Sequence, residues 1–88
     1  MKAVRLSGHA REQLFFRGVA EGEVLDAIHT SQWQAADLGR MECRKNFEFE
    51  KEWNKKYYKT KQVRPVFVEE EKEIIVVTIY SYFFSEEA

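Results

Sequence analysis

The side chains best able to do chemistry in this chain of 88 residues fall into three groups. His9 opens an N-terminal segment that also carries Arg17. Lys59, Lys61 and Arg64 crowd one stretch in the second half, and Thr78, Tyr80 and Tyr82 alternate near the C-terminus. An imidazole accepts and returns a proton near neutral pH. Lysines and arginines grip phosphate, and tyrosines on an open sheet face stack on unpaired bases or, flanked by cations, move protons. Each has a plainer account. His9 can hydrogen-bond within the fold, Arg17 can serve the C-terminal end of a helix dipole, lysines blunt sheet edges, and tyrosines pair across strands. His29 reads as a dipole partner at a helix end, Trp33 and Trp53 as core or rim aromatics, and Cys43 as a buried thiol. Two histidines and one cysteine without ligand spacing offer no metal site, and nothing calls for a cofactor.

The elements that position these residues are legible from period and punctuation. Ser7 is a favoured N-cap, Ala10 and Leu14 lie four apart, and Gly18 supplies a left-handed stop, which predicts a helix over 8–17. Val24, Leu25 and Ile28 recur at helical spacing over 21–30, behind a weak cap at Ala20. From Met41 the period becomes two: Met41, Cys43, Phe47 and Phe49 alternate with polar residues to Glu50, as in a half-buried strand. Residues 56–69 read as a strand interrupted at Pro65. Glu70-Glu71-Lys72 separates it from a β-branched and aromatic run over 74–84, its hairpin partner. The order α-α-β-β-β predicts an α+β domain over 1–88, two helices on one face of a three- to four-stranded antiparallel sheet. Ile75, Val77, Ile79 and Phe83 are expected under the helices, with Val76, Thr78, Tyr80 and Tyr82 on the open face. Lys59 and Lys61 share a face by the same period, and Arg64 joins them only through a bulge at Pro65.

Composition narrows the class. A chain 44% hydrophobic and 15% aromatic, with four Gly and one Pro, folds rather than staying disordered, and its length allows one domain. The lone cysteine forms no internal disulfide, and there is no signal-peptide run or membrane span, so a cytoplasmic protein without a membrane partner is expected. Net charge is −1, but residues 1–39, 40–64 and 65–88 balance at −1, +5 and −5. A neutral sum thus conceals a basic middle and an acidic end.

Ser7-x-His9-Ala10, the helix end Arg17-Gly18-Val19, Tyr58-Lys59-Thr60-Lys61-x-Val63 and Ile75-Val76-Val77-Thr78-Ile79-Tyr80 together resemble a bacterial and archaeal domain-of-unknown-function family. Its members are small RelE-like proteins, grouped by fold with RelE-type toxins and the barnase/colicin endoribonucleases. The resemblance runs from Ser7 to about Phe83. It implies a toxin-like endoribonuclease of a toxin–antitoxin system, cleaving ribosome-bound or free messenger RNA without a metal. His9, Lys61 and Tyr80 would then carry proton transfer and phosphate contact, Arg17, Lys59, Arg64, Thr78 and Tyr82 would bind substrate, and an antitoxin would cover the basic segment. The charge split supports a rival: a non-catalytic interaction domain on the same fold, self-associating as a homodimer through its acidic end and basic middle.

Overall fold

The structure, a computed structural model, describes residues 2–86. Strand β1 (Ala3–Leu6) leads into helices α1 (Gly8–Arg17) and α2 (Glu21–Thr30). There follow β2 (Gln34–Ala35), a turn at 37–39, β3 (Met41–Glu42), β4 (Lys45–Trp53), β5 (Lys56–Glu69) and β6 (Glu73–Phe84). Both helices form where their local signals place them. Ser7 Oγ accepts from the Ala10 amide at 3.1 Å, and Gly18 closes α1 at φ 65°. At α2 the missing cap side chain is offset from within, because the Glu23 carboxylate accepts from the Ala20 amide at 2.9 Å.

The α+β class is as expected, but the sheet is larger and mixed. Among the described residues six strands form one sheet in the order β1-β6-β5-β3-β2, with β4 also on β5. The three- to four-stranded antiparallel sheet is corrected chiefly by β1, which runs parallel to β6 with Leu6 opposite Val76. Its four residues carry only Val4 and Leu6 as an alternating signal, and their partner lies some seventy positions away. The strand expected over 41–50 is split by Cys43 and Arg44. Pro65 accounts for the split. The Ile79 amide opposite it turns away from β5, so Pro65 directs its donorless nitrogen at the interruption, where its carbonyl accepts from the Cys43 amide at 3.4 Å.

The face assignment of β6 also needs correcting. Thr78 pairs with Val66 and Val76 with Phe67, so Val77 is an extra residue bulged out of the ladder. Alternation resets there. Ile74, Val76 and Ile79 all lie in the core under the helices, while Ile75 pairs with Val68 on the open side. Beyond the bulge, Thr78, Tyr80 and Tyr82 keep the open face and Phe83 the helix face, as predicted. The core joins Ala10, Val24, Ala27 and Ile28 of the helices to Val63, Phe67 and Cys43.

β1 stops at Leu6, and α1 takes over the uncovered edge of β6. The Ser7 amide donates to the Val76 carbonyl at 2.9 Å. Gln13 Oε1 accepts from the Ile79 amide at 2.7 Å and from Thr78 Oγ1 at 2.8 Å, and Ser81 Oγ donates to the Arg17 carbonyl at 2.8 Å. Helix α1 thus satisfies an edge that would otherwise be open to another strand.

Two tight turns use left-handed residues. The β4–β5 hairpin closes through Asn54 (φ 51°) and Lys55 (φ 70°). The β2–β3 hairpin turns through Leu38 (φ 61°) and Gly39 (φ 72°), with the Arg40 amide donating to the Asp37 carbonyl at 3.2 Å. Both have the type I′ form, which favours Asn, Asp or Gly at its first central position. Leucine there costs roughly 1–2 kcal/mol.

Gly18 is the glycine that packing most plainly requires: a Cβ on it would lie 2.7 Å from the Trp53 ring, at a positive φ. Gly18→Ala should therefore lower the stability read by urea denaturation by about 2 kcal/mol. Unchanged stability would show that the Trp53 ring gives way freely.

Candidate functional site on the open sheet face

Because β5 and β6 pair Arg64 with Tyr80 and Lys61 with Phe83, the chemistry-bearing residues divide between the two faces of the sheet. Lys61 points to the helix side and is 5% exposed. There its ammonium donates to the Gly18 carbonyl at 2.8 Å and the Glu23 carboxylate at 2.7 Å, and stands 5.2 Å from the Phe49 ring centre. It clamps the α1–α2 junction to β5. The grip formed by Lys59 and Lys61 beside Tyr80 and Thr78 is thus not assembled. The bulge that would have brought Arg64 to Lys61 falls on β6 at Val77, leaving β5 in unbroken register from Thr60 to Val66. Lys59 is exposed near the hairpin end of β5, and His9 is exposed on the first turn of α1, two turns before the Arg17 that meets Tyr80. His9, Lys61 and Tyr80 do not converge.

What does converge lies on the open face. Arg64 makes a bidentate pair with Glu42, Nη2 to Oε1 at 2.7 Å and Nε to Oε2 at 3.2 Å, and donates from Nη1 to the Tyr82 hydroxyl at 3.1 Å. Its guanidinium carbon also stands 5.0 Å from the Tyr80 ring centre. Arg17 approaches that ring at 5.6 Å from α1, on the opposite edge of β6. Tyr80 is therefore flanked by two guanidinium groups, one from each neighbour of its strand. The ring forms part of a groove of about 510 Å³ whose other charged lining is Asp37, Arg40, Glu42, Arg44 and Arg64. Thr78 lines the groove too, its hydroxyl proton committed to Gln13. The β2–β3 hairpin supplies one wall, ending in Leu38.

Electrostatics inside the cluster follow from the pairing. Hydrogen bonds from Arg64 hold the Glu42 carboxyl below its usual range against the opposing cost of burial, with Arg44 at 3.8 Å adding to the effect. Glu42 in turn holds Arg64 firmly protonated. The Cys43 thiol, next in sequence but facing the core, is pushed up to about 11 by burial and the Glu42 charge, and is no nucleophile. Elsewhere the basic middle of the chain is largely engaged within the fold. Lys45 meets Asp26 at 2.9 Å and Thr30 at 2.8 Å, and Lys51 and Lys56 lie over the rings of Phe49 and Tyr58.

Of the residues singled out from the sequence, Arg64, Thr78 and Tyr80 line the groove, Tyr82 adjoins it through Arg64, and Arg17 meets Tyr80 from α1. Glu42, Arg40, Arg44 and Gln13 were not singled out. The available signal for three of them is the spacing Arg40-x-Glu42-x-Arg44, which puts all three on the polar side of a strand. For Gln13 no sequence signal exists.

Glu42 is 8% exposed, so Glu42→Gln should cost about 2 kcal/mol at pH 7 by leaving Arg64 with a neutral partner. Its carboxyl is depressed on folding, so the contribution is present above the ordinary value of 4.5 and is lost as pH falls through the lower folded value. Urea titrations of both proteins from pH 7 to pH 3 should converge at the acid end. A constant gap would refute the pairing.

Against protein-family models, curated proteins and solved structures, the chain finds no match.

Proposed function

We propose that the protein is a ribonuclease-like RNA-binding domain, of the toxin kind its sequence resembles, whose site is the open-face groove. The observation that carries this reading is Tyr80 held between the guanidinium groups of Arg64 and Arg17 beside a groove further lined by Arg40 and Arg44. Three of the five N–H donors of Arg64 go to Glu42 and Tyr82, which fixes the fork and leaves two for a phosphate. In metal-independent cleavage the ribose 2′-hydroxyl gives up its proton as its oxygen attacks the adjacent phosphorus, and the bond to the 5′-oxygen breaks as that oxygen takes up a proton, giving a 2′,3′-cyclic phosphate and a 5′-hydroxyl with no net change in protons. The arginines stabilise the charge that builds on the phosphoryl oxygens, and the Tyr80 phenol is the proton-transfer group placed among them. His9 and Lys61 have no part in this site. An antitoxin covering the groove is the protein partner the reading implies.

The test is purified protein and single-stranded RNA in the presence of a chelator. Fragments with 2′,3′-cyclic ends are expected, reduced on the order of a hundredfold in Tyr80→Phe and Arg17→Ala and undiminished in His9→Ala. A folded wild type that cleaves neither free RNA nor messenger RNA on added ribosomes at any salt concentration overturns the enzymatic reading.

A second reading, a non-catalytic domain that pairs with another copy of itself, draws on Phe15 and Phe16. They are 81% and 73% exposed and meet edge to face at 5.4 Å on α1. The acidic end is less available for charge pairing, since Glu69 and Glu73 already bind Lys2 and Arg5 at 3.2 and 3.1 Å. The aromatic pair presents an exposed apolar centre bordered by Glu12 and by Arg11, itself paired with Glu21 at 3.0 Å, a patch that apolar contact with its own copy could cover. Sedimentation should show a dimer that Phe16→Ser dissociates; a monomer at every concentration removes this reading.

A further inference from the structure

Leu38 is conspicuous in two independent ways. It occupies the first central position of a type I′ turn at φ 61°, a conformation that a leucine side chain disfavours, and the residue is 85% exposed, so packing within the chain returns little for the strain. The β4–β5 hairpin, with the same kind of turn, has Asn54 at the corresponding position, a residue that suits it. A strained apolar residue that does little for its own fold, placed on the wall of a groove, points outward to a ligand.

We propose that Leu38 is a contact residue for the apolar surface of an unpaired RNA base whose phosphates lie along Arg40, Arg44 and Arg64; this rests on reading the groove as an RNA site. The lining divides the labour. The arginines meet charges present in every nucleotide, whereas Leu38 offers only apolar surface and so answers to the base. Leucine serves elsewhere as a wedge beside unstacked bases. At about 510 Å³ the groove is of the size that holds a small ligand, which suits one splayed nucleotide better than a duplex. The turn also explains why the residue is held rather than left to sway: the Ala36 amide donates to the Arg40 carbonyl at 2.8 Å, closing the hairpin beneath it.

The experiment uses the full chain and two fluorescein-labelled 2′-O-methyl strands, an oligouridylate and its abasic counterpart, neither of which can be cleaved through a 2′-hydroxyl. Leu38→Asn should bind the oligouridylate about fivefold more weakly, bind the abasic strand as the wild type does, and melt a few degrees higher because the turn is relieved. Arg44→Ala should weaken both strands alike. If Arg44→Ala weakens both and Leu38→Asn weakens neither, the leucine contact is wrong while the RNA reading stands. A lower melting temperature in Leu38→Asn would make Leu38 a residue of the fold and overturn the inference. A wild type that binds neither strand removes both the RNA reading and this inference, leaving the leucine to a protein partner.

Discussion

A backbone amide at the edge of a sheet must find an acceptor, and on β6 the strand neighbour runs out at Val76. The Gln13 carbonyl oxygen fills the gap by accepting from both Ile79 and Thr78, an arrangement that draws α1 along the edge of the sheet. That placement carries Arg17, one turn further along the helix, to the rim beyond which Tyr80 lies. It also seats Gly18 under Trp53 and the Gly18 carbonyl over Lys61. A single side-chain amide thus links the edge of the sheet, the α1–α2 junction and the approach of a cation to the open face.

The Val77 bulge is the second determinant. Without it the alternation that buries Ile74 and Val76 would send Tyr80 and Tyr82 under the helices and Ile79 to solvent. With it, one strand feeds the core along its whole length and still delivers Thr78, Tyr80 and Tyr82 to the groove. The same sheet carries two charged clusters of different character. On the helix side Lys61 and Glu23 are enclosed among aromatics and hold elements together; on the open side Arg64 and Glu42 border a groove and retain unused donors. What separates them is which partner is covered: the Lys61 side chain is 7% exposed and the Arg64 side chain 23%, so only the second cation can meet a ligand.

Local information was enough for the helices and for the long strand, because a serine cap, a glycine stop and the β-branched run each act within a few residues. It also marked the open face beyond the bulge, where Tyr80 and Tyr82 lie as alternation requires. What it could not convey depends on partners distant in the chain. The parallel pairing of Ala3–Leu6 with β6, the bulge opposite Val66 and Phe67, and the engagement of Lys61 by Glu23 are properties of two segments at once. Lys61 illustrates the limit: its type and its spacing from Lys59 suit a phosphate grip, and only the register shows that its charge is already met.

The position of Cys43 gives the molecule an internal clock. Its sulfur sits in the core where β3 gives way to β4, on the residue whose amide donates to the Pro65 carbonyl, and is the one thiol in the chain. An alkylating reagent can reach it only in molecules whose core has opened, so the rate of modification measures how often the packing around that junction gives way. The interruption that Pro65 imposes on the ladder is therefore also the place where the protein's breathing can be timed.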